Sequence, residues 1–336
     1  MNLSHEVLLT GFCDEISASK KVDEQFSVAA ALGLRFVTLR FLDCGQGTKN
    51  VVALDEFERS IARQHLCDFG LQVSSLGSPL GKVKIVDQED DTRNSFRPWK
   101  DYLNHEVAKA IELAQFFETK LIRGFSFYHP KGSDSREHLS LASQYLLEIV
   151  EQCAEAGLVF GLEVEANLIG HNALNLLELV ERVDHPSLKL VFDGANLVTQ
   201  GYLPTEVFSQ WQQMKPFVGW LHIKDYRSEE SGNQNWVDEE RLSLFVPVGE
   251  GDSNYEQVFR DISESYGEML GRMAAFNVPG LFLDLEPHLA GGGQFGGFSG
   301  PDGFGVALRS LCEMLDCTGL SYRLRGFDDL RKSQTN

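Results

Sequence analysis

The chain has 336 residues, of which 43% are hydrophobic, and its formal net charge is −19 at pH 7. This composition is typical of a globular protein that buries a sizeable core. The negative charge disfavours nucleic acid as a main partner, because a phosphate backbone would be repelled over most of such a surface.

The sequence carries no signal for secretion or membrane insertion. The first residues, MNLSHEVLLTGF, have neither the basic segment nor the long apolar run of a signal peptide. No later stretch reaches the ~18 consecutive apolar residues that a membrane span needs. Six cysteines are scattered without CxxC spacing, which argues against a disulfide framework and a cysteine zinc site. We therefore expect a cytoplasmic protein with no membrane contact.

Three segments of the first half share one pattern, in which a helical stretch ends on Gly-Leu and a short apolar run follows. They are ALGLRFVTLR, DFGLQVSSLG and EAGLVFGLEV. Gly33, Gly70 and Gly157 suit the left-handed residue that commonly follows a helix. The run after each glycine is almost continuously apolar, which predicts a buried parallel strand.

Extending this pattern along the chain predicts eight strands, in the order VLLTGF, RFVTLR, QVSSLG, KLIRGF, VFGLEV, LKLVFD, VGWLHI and LFLDLE. Each intervening segment is long enough for a helix. Eight alternating units without a long linker favour a single (β/α)8 barrel, with residues 1–336 as one domain, over a doubly wound sheet with a second domain. Two long loops, near residues 86–105 and 226–254, would then lie over the C-terminal face of the barrel.

Polar residues close the last four predicted strands. The fifth strand ends at Glu163 and Glu165, the sixth at Asp193, the seventh at His222 and the eighth at Glu286. In a barrel, the C-terminal ends of the strands converge on the active site. Carboxylates with one imidazole suit Mn²⁺, Mg²⁺ or Co²⁺, and Zn²⁺ is also compatible. One divalent cation would offset the cost of burying these carboxylates together.

Each of these residues also has an ordinary interpretation. A single acid at a strand end is more often a helix N-cap or a solvated charge, and a lone histidine such as His222 is more often a core residue. Four such residues on successive strands favour a shared site instead. Glu163 and Glu165 lie two residues apart, so that in a strand they share a face and either could be the ligand.

Nine short motifs occur in a set order along the chain: GFCDEIS, TLR, LGSPLGK, LIRGFSFY, GLEVEAN, VFDGAN, LHIKD, PVGEGD and LEPH. In this order and spacing, the chain resembles the xylose isomerase-like barrel superfamily, specifically its sugar phosphate isomerase/epimerase group. The resemblance runs from about Gly11 to the helix after Gly305. It implies a metal site formed by Glu163, Asp193, His222 and Glu286, and so favours Glu163 over Glu165.

The resemblance also implies a reaction, the isomerisation or epimerisation of a keto-sugar or sugar phosphate. A bound metal would polarise the carbonyl and its neighbouring hydroxyl and would stabilise an enediolate. Glu163 and Glu286 would remove a proton from one face of the substrate carbon and return one to the other. Lys224 would add positive charge. The expected partner is thus a small carbohydrate, and a homo-oligomer is expected only by analogy with other barrels.

Further polar residues near the predicted strand ends suit a polyhydroxylated substrate. They are Arg40, Ser78, Lys82, Arg123, Glu165, Asn196, Lys224, Asp225 and His288. The arginines have an alternative role, because each could pair with Asp14 or Glu15. The glycine-rich segment after Glu286 would let the backbone close over a ligand, but it is not a nucleotide fingerprint, since it follows the last strand.

Two positions depart from the ketose 3-epimerases of the superfamily. Those enzymes have a histidine three residues after the metal-binding aspartate, where this chain has Asn196. They also have an arginine six residues after the metal-binding histidine, where this chain has Ser228 beside Arg227. Both differences weaken the prediction of a free ketohexose as substrate.

Three other functions remain open. The same metal and glutamates would serve elimination, so a dehydratase or lyase acting on an inosose or a 3-keto-sugar is the nearest alternative. An abasic-site endonuclease is disfavoured, because it would need several histidines and a basic groove. A non-catalytic sugar-binding barrel is disfavoured because all four presumed ligands are present.

Overall fold

The computed structural model describes residues 6–228, 236–239, 242–293, 296–326 and 328–329. Its eight main strands are all parallel and match the eight predicted runs: β1 Glu6–Gly11, β2 Phe36–Leu39, β3 Gln72–Gly77, β4 Leu121–Gly124, β5 Val159–Glu163, β6 Leu188–Asp193, β7 Val218–Ile223 and β8 Phe282–Leu285. Strands β2 to β8 pair in chain order, and β8 pairs with β1. A parallel bridge between Phe12 and Thr38 links the ends of β1 and β2. The predicted (β/α)8 barrel is therefore confirmed.

A helix follows each strand: α1 Val22–Ala31, α2 Glu56–Phe69, α3 Ala108–Phe116, α4 Leu139–Glu155, α5 Ala173–Val183, α6 Pro204–Met214, α7 Tyr255–Ala274 and α8 Gly300–Thr318. The chain enters α3 through a short helix and a π-helical segment, Trp99–Asp101 and Tyr102–Val107. Gly33, Gly70 and Gly157 have φ angles of 84°, 61° and 70°, which confirms the three predicted helix ends. Within the part of the chain that the structure describes, no helix is both long and apolar enough to cross a bilayer.

The loops contain short strands and helices. Two antiparallel pairs join Phe41–Asp43 to Thr48–Asn50 and Asp225–Tyr226 to Phe245–Val246. A short helix, Gly194–Val198, follows β6, and Ser321–Tyr322 adds a ninth strand beside β1. Single turns of 3₁₀-helix lie at Cys13–Glu15, Val51–Ala53, Ser135–His138 and Lys215–Phe217. The predicted loop near 226–254 is only partly described, because residues 229–235 and 240–241 lie outside the described residues. The assignment of residues 1–336 to one domain stays a prediction.

The helices pack apolar faces against the barrel. In α4, Leu146, Ile149, Val150 and Cys153 are all fully buried and recur at helical spacing. The barrel also encloses buried polar groups. Thr10 and Thr38 both form hydrogen bonds to Ser74, of 2.7 and 2.9 Å. Thr38 also donates to Asp284, at 2.5 Å. Burial raises the pKa of Asp284 to about 7, with Thr38 among the groups that oppose the shift.

Close packing between β5 and β7 depends on a glycine. A Cβ atom at Gly161 would lie 2.6 and 2.7 Å from Cζ2 and Cζ3 of the buried Trp220 ring and would overlap its Cη2 atom. We expect Gly161→Ala to lower the free energy of unfolding by about 1–3 kcal/mol, because overpacking forces the core to shift. The measurement is denaturant unfolding of the full chain.

Gly267 provides the matched control for this prediction. It lies inside α7, and a Cβ atom there would meet nothing within 4 Å. Gly267→Ala should raise the free energy of unfolding by about 0.5–1 kcal/mol, since alanine loses less backbone entropy in a helix. Equal effects of the two substitutions would contradict the packing argument.

Candidate active site

Four buried residues meet at the C-terminal ends of β5 to β8. Glu163, Asp193, His222 and Glu286 each offer one potential ligand atom, and these atoms all lie within 4.8 Å of one another. Glu163 and Asp193 are the last residues of their strands. Glu286 directly follows β8, and its N–H continues the strand pairing by donating to the Ile223 carbonyl at 3.1 Å. The structure thus brings the four predicted ligands together.

His222 lies close to both glutamates of this cluster. Its Nδ1 atom lies 3.1 Å from Glu163 Oε1 and 3.7 Å from Glu286 Oε2. Phe12 packs edge-on against the imidazole, at 5.0 Å between ring centroids. Burial disfavours the imidazolium form, but the charges of Glu163 and Glu286 raise the pKa of His222 above its ordinary value. The ring is therefore held in a strongly anionic, water-excluded environment.

The cluster carboxylates differ in acidity. Burial would raise the pKa of Glu163, but the charges of His222 and Arg123 bring it down to about 2. The pKa of Asp193 is raised to about 7, mainly by burial, which outweighs the charge of Lys224. Lys224 Nζ lies 2.9 Å from Asp193 Oδ2 and 3.3 Å from Glu286 Oε2. Positive charge at this position therefore already compensates two of the carboxylates.

The donor set fits a divalent cation. Three carboxylates and one imidazole form an oxygen-rich site of the kind that Mg²⁺, Mn²⁺ or Co²⁺ prefers. Both ring nitrogens of His222 are buried, and among the described residues neither forms a well-aligned hydrogen bond, although Nδ1 lies close to Glu163. A buried imidazole without such partners is available as a ligand, because its neutral form has one free lone pair. These four residues could therefore hold one metal ion.

Besides Lys224, Arg40 also contacts Glu286. Its Nε atom donates to both carboxylate oxygens of Asp14, at 3.2 and 3.1 Å, and its NH2 atom lies 3.5 Å from Glu15 Oε1. The NH1 atom forms a short ion pair with Glu286. Pairing of Arg40 with Asp14 and Glu15 is thus confirmed. Glu15, Glu286 and His288 also have ligand atoms within 4.8 Å of one another, but the Arg40 guanidinium supplies positive charge to that group.

The two glutamates that sequence alone could not separate have different partners. Glu163 faces His222, and its Oε2 atom lies 3.4 Å from Arg123 Nε. Glu165 lies beyond the end of β5, and its Oε2 atom is 3.4 Å from Lys82 Nζ. The Arg123 guanidinium also lies over the Phe125 ring, 4.4 Å from its centroid. Only Glu163 therefore belongs to the four-residue cluster.

Most of the predicted substrate-binding residues line one pocket beside the cluster: Arg40, Ser78, Lys82, Arg123, Glu165, Lys224 and His288. Ser78 donates a short hydrogen bond to the Arg123 carbonyl, so it fixes the backbone as well as lining the pocket. Gly293 and Gly296 come from the glycine-rich loop and complete the wall. The cavity bounded by these residues has a volume of about 40 Å³.

Glu15, which the sequence suggests only as a partner of arginine, also holds His288. Glu15 Oε2 accepts the His288 backbone N–H at 2.8 Å, and Glu15 Oε1 lies 2.7 Å from His288 Nδ1. Ser299 donates to the same carboxylate at 2.9 Å. A Cβ atom at Gly297 would overlap the imidazole ring, which explains a glycine at this point of the loop. The His288 Nε2 atom lies 4.0 Å from Glu286 Oε1.

Two predicted substrate-binding residues are not among the pocket-lining residues. Asn196 Nδ2 donates to the Val164 carbonyl at 3.0 Å and to Glu163 Oε1 at 3.3 Å, so it supports Glu163 from behind. Asp225 accepts hydrogen bonds from the backbone N–H groups of Tyr226, Gly249, Gly251 and Ser253. Its carboxylate is thereby committed to fixing the loop around residues 249–253. Asp225 thus has a structural role among the described residues, and its predicted substrate contact stays a prediction.

The hydrogen bonds of Asp225 predict a local effect on the dynamics of the loop around residues 249–253. In Asp225→Ala, the loop amides lose a buried charged acceptor, and each such hydrogen bond contributes about 1.5–3 kcal/mol. We expect the amides of residues 249–253 to exchange with solvent at least about tenfold faster, measured by hydrogen exchange and mass spectrometry. Glu250→Gln, an exposed change in the same loop, is the control and should leave exchange unchanged. Slow exchange combined with loss of metal would instead place Asp225 in the site.

Three comparisons with known proteins bear on the site. The family model for xylose isomerase-like TIM barrels matches residues 26–267, which is more than half of the chain. A 3-dehydroshikimate dehydratase of Bacillus anthracis is 26% identical over 175 residues, covering 48% of this chain and 61% of that protein. The chain thus matches less than two thirds of the length of this curated relative.

Solved structures show the same fold. A xylose isomerase-like TIM barrel protein from Mycobacterium smegmatis, in complex with magnesium, has a TM-score of 0.63 and 17% identity over 94% of this chain and 98% of that one. D-allulose 3-epimerase from Methylomonas sp., in complex with D-allulose, has a TM-score of 0.59 and 14% identity over 92% and 97%. Because the family model spans the strands that carry three of the four cluster residues, and the barrel agrees with these structures, the chain belongs to the xylose isomerase-like TIM barrel family.

Proposed function

We propose that the protein is a divalent-metal-dependent isomerase or epimerase of a keto-sugar or sugar phosphate. The observation that carries this proposal is the placement of two glutamates around one buried imidazole. His222 Nδ1 lies 3.1 Å from Glu163 and 3.7 Å from Glu286. Two carboxylates that converge on one point from different strands can remove a proton and return one.

Glu163, Asp193, His222 and Glu286 would hold the cation, which when bound polarises a carbonyl as a Lewis acid. Burial opposes the ionisation of Glu286, but Lys224 and Arg40 hold its pKa well below the ordinary value. The pKa of Glu163 is also low, so both glutamates are ionised at neutral pH, as carboxylates that bind a metal must be. Lys224 and Arg40 further provide positive charge beside the position where negative charge develops on the substrate.

The lining of the pocket supports a sugar as the substrate class. Arginine, lysine, serine and histidine side chains surround the cluster and offer several hydrogen-bond donors. Donors of this kind suit the hydroxyl and carbonyl oxygens of a sugar. The D-allulose complex of the Methylomonas relative, which has the same fold, supports this choice.

A dehydratase or lyase is the second candidate, and the sequence likeness to a 3-dehydroshikimate dehydratase favours it. The first step would be the same, because removal of a proton next to a carbonyl can be followed by loss of a leaving group. His288 could donate a proton to the leaving group, because its Nε2 atom lies beside the cluster, 4.0 Å from Glu286 Oε1. The two reactions differ only after proton abstraction.

One experiment tests the proposal and separates the two reactions. We expect the purified protein to bind about one metal ion per chain, and Glu286→Gln to lower this occupancy about tenfold or more. The protein would then be incubated in D₂O with keto-sugars, inososes and their phosphates. Deuterium in recovered sugar supports an isomerase or epimerase, whereas loss of water or another group indicates a lyase. A wild-type chain that binds no metal would overturn the proposal.

A further inference from the structure

The cavity beside the metal-type cluster, which is formed by Glu163, Asp193, His222 and Glu286, is small, with a volume of about 40 Å³. A second cavity of about 450 Å³ is formed by the loops that follow β3, β4, β5 and β7. It is within the usual range for a pocket that binds a small molecule.

The two cavities are neighbours. Glu165 pairs with Lys82 in the wall of the first cavity, and Asn167, two residues later, lines the second. Asn167 donates to Glu239 Oε1 at 3.0 Å. Glu239 lines the second cavity, and burial raises its pKa to about 7 while the nearby charge of Lys82 opposes the shift. Lys82, Glu165 and Glu239 therefore lie where the two cavities come close to each other.

The second cavity has a fixed wall rather than a chance opening. Asn167 exchanges two hydrogen bonds of 2.8 Å with the backbone of Val237, which secures that loop against the end of β5. Asn167 adopts a left-handed backbone conformation, with φ 64°, which places its amide group for this exchange. Val237 is buried as a result.

The lining of the second cavity indicates what it would bind. Trp236 and Tyr128 contribute aromatic rings, and Lys131 lies 5.8 Å from the centroid of the Trp236 ring. The cationic residues Arg93 and Lys131 are accompanied by three acidic residues, so the lining does not select an anion such as phosphate. Aromatic side chains accompanied by mixed hydrogen-bonding groups suit an uncharged ring that carries hydroxyl groups.

We propose that the second cavity binds an uncharged sugar ring that is attached to the reacting part of the substrate. The substrate class would then be a keto-sugar glycoside, with the reacting carbonyl at the metal-type cluster and the attached ring against Trp236. For the reacting part, this inference rests on the proposed function. The attached ring is recognised separately, by residues outside the cluster.

Affinities for one-ring and two-ring ketoses test this inference. The Mg²⁺-loaded full chain would be titrated calorimetrically with D-fructose and with turanose, maltulose, leucrose and isomaltulose, which carry glucose on four different hydroxyls of fructose. We expect at least one disaccharide to bind tenfold or more tightly than D-fructose. Trp236→Ala should reduce this ratio to below threefold, and Trp236→Phe should retain most of it. Phe57→Ala, which removes an exposed aromatic ring from α2, is the control and should leave the ratio unchanged.

The outcomes separate this inference from the proposed function. If metal binds and deuterium exchange occurs, but no disaccharide binds more tightly than D-fructose, only the second-cavity inference fails. If no metal binds, the proposed function fails, and ligand-detected NMR with methyl α-D-glucopyranoside in EDTA then tests the cavity alone. Binding of that glucoside that is lost in Trp236→Ala would support the cavity, and absence of binding would overturn it.

Discussion

Glu163→Gln is expected to lower metal occupancy about tenfold or more, whereas Glu165→Gln leaves occupancy within twofold of the wild type. The two residues form a matched pair, because both are buried acids only two positions apart. They differ in their partners: Glu163 Oε1 is 3.1 Å from His222, while Glu165 Oε2 is 3.4 Å from Lys82. Only the first substitution removes a donor from the cluster.

The same pair should separate in proton transfer. A positioned acid–base group contributes about 10²–10⁴-fold to rate, so deuterium exchange into substrate should fall by at least about 10²-fold in Glu163→Gln. Metal content after dialysis, circular dichroism and exchange rate would be measured on each variant. Equal loss of metal in both variants, with the fold intact, would show that total negative charge controls metal binding rather than ligation by Glu163.

The order of strands could be predicted because each leaves a local signal. Gly33, Gly70 and Gly157 end helices in the left-handed conformation, and a buried run follows each one. Alternation along a strand could not separate Glu163 from Glu165, since both would share a face. The structure separates them because β5 ends at Glu163, and the alternation stops where the strand stops.

The role of Asp225 depends on partners that lie far along the chain. Its carboxylate is bound by amides of residues 249–253, and a Cβ atom at Gly251 would lie 2.7 Å from its Cγ atom. Local sequence shows only an acid after a strand, which is the same signal that leads to the prediction of Asp193 as a metal ligand. The glycines of PVGEGD are the sequence feature that could have indicated backbone wrapped around an acid.

The second cavity had no sequence signal for a related reason. Asn167 and Val237 are 70 residues apart, and their hydrogen bonds join loops that carry no periodic pattern. The sequence predicts long loops near residues 86–105 and 226–254, but it carries no signal for the contact between Asn167 and Val237. Periodicity determines which residues share a face of one element, whereas contacts between loops depend on the whole fold.

Arg40→Met is expected to lower the free energy of unfolding by about 3–5 kcal/mol, the cost of leaving buried charges unpaired. The Arg40 side chain is 4% exposed and contacts the carboxylates of Asp14, Glu15 and Glu286. Burial alone would lower the pKa of Arg40, but these carboxylates raise it above the ordinary value. Methionine keeps much of the volume and removes only the charge and its hydrogen bonds.

The control is an exposed ion pair of the same type. Arg63 and Glu118 are 47% and 75% exposed, so Arg63→Met should cost less than about 1 kcal/mol. Adding Asp14→Asn to Arg40→Met should recover part of the loss, because it removes one of the unpaired carboxylates. Denaturant unfolding at pH 7 measures all four proteins. Glu286 contacts Arg40 and also belongs to the metal-type cluster. A saturating divalent ion should therefore reduce the loss of unfolding free energy caused by Arg40→Met. An unchanged loss would argue that the ion does not contact Glu286.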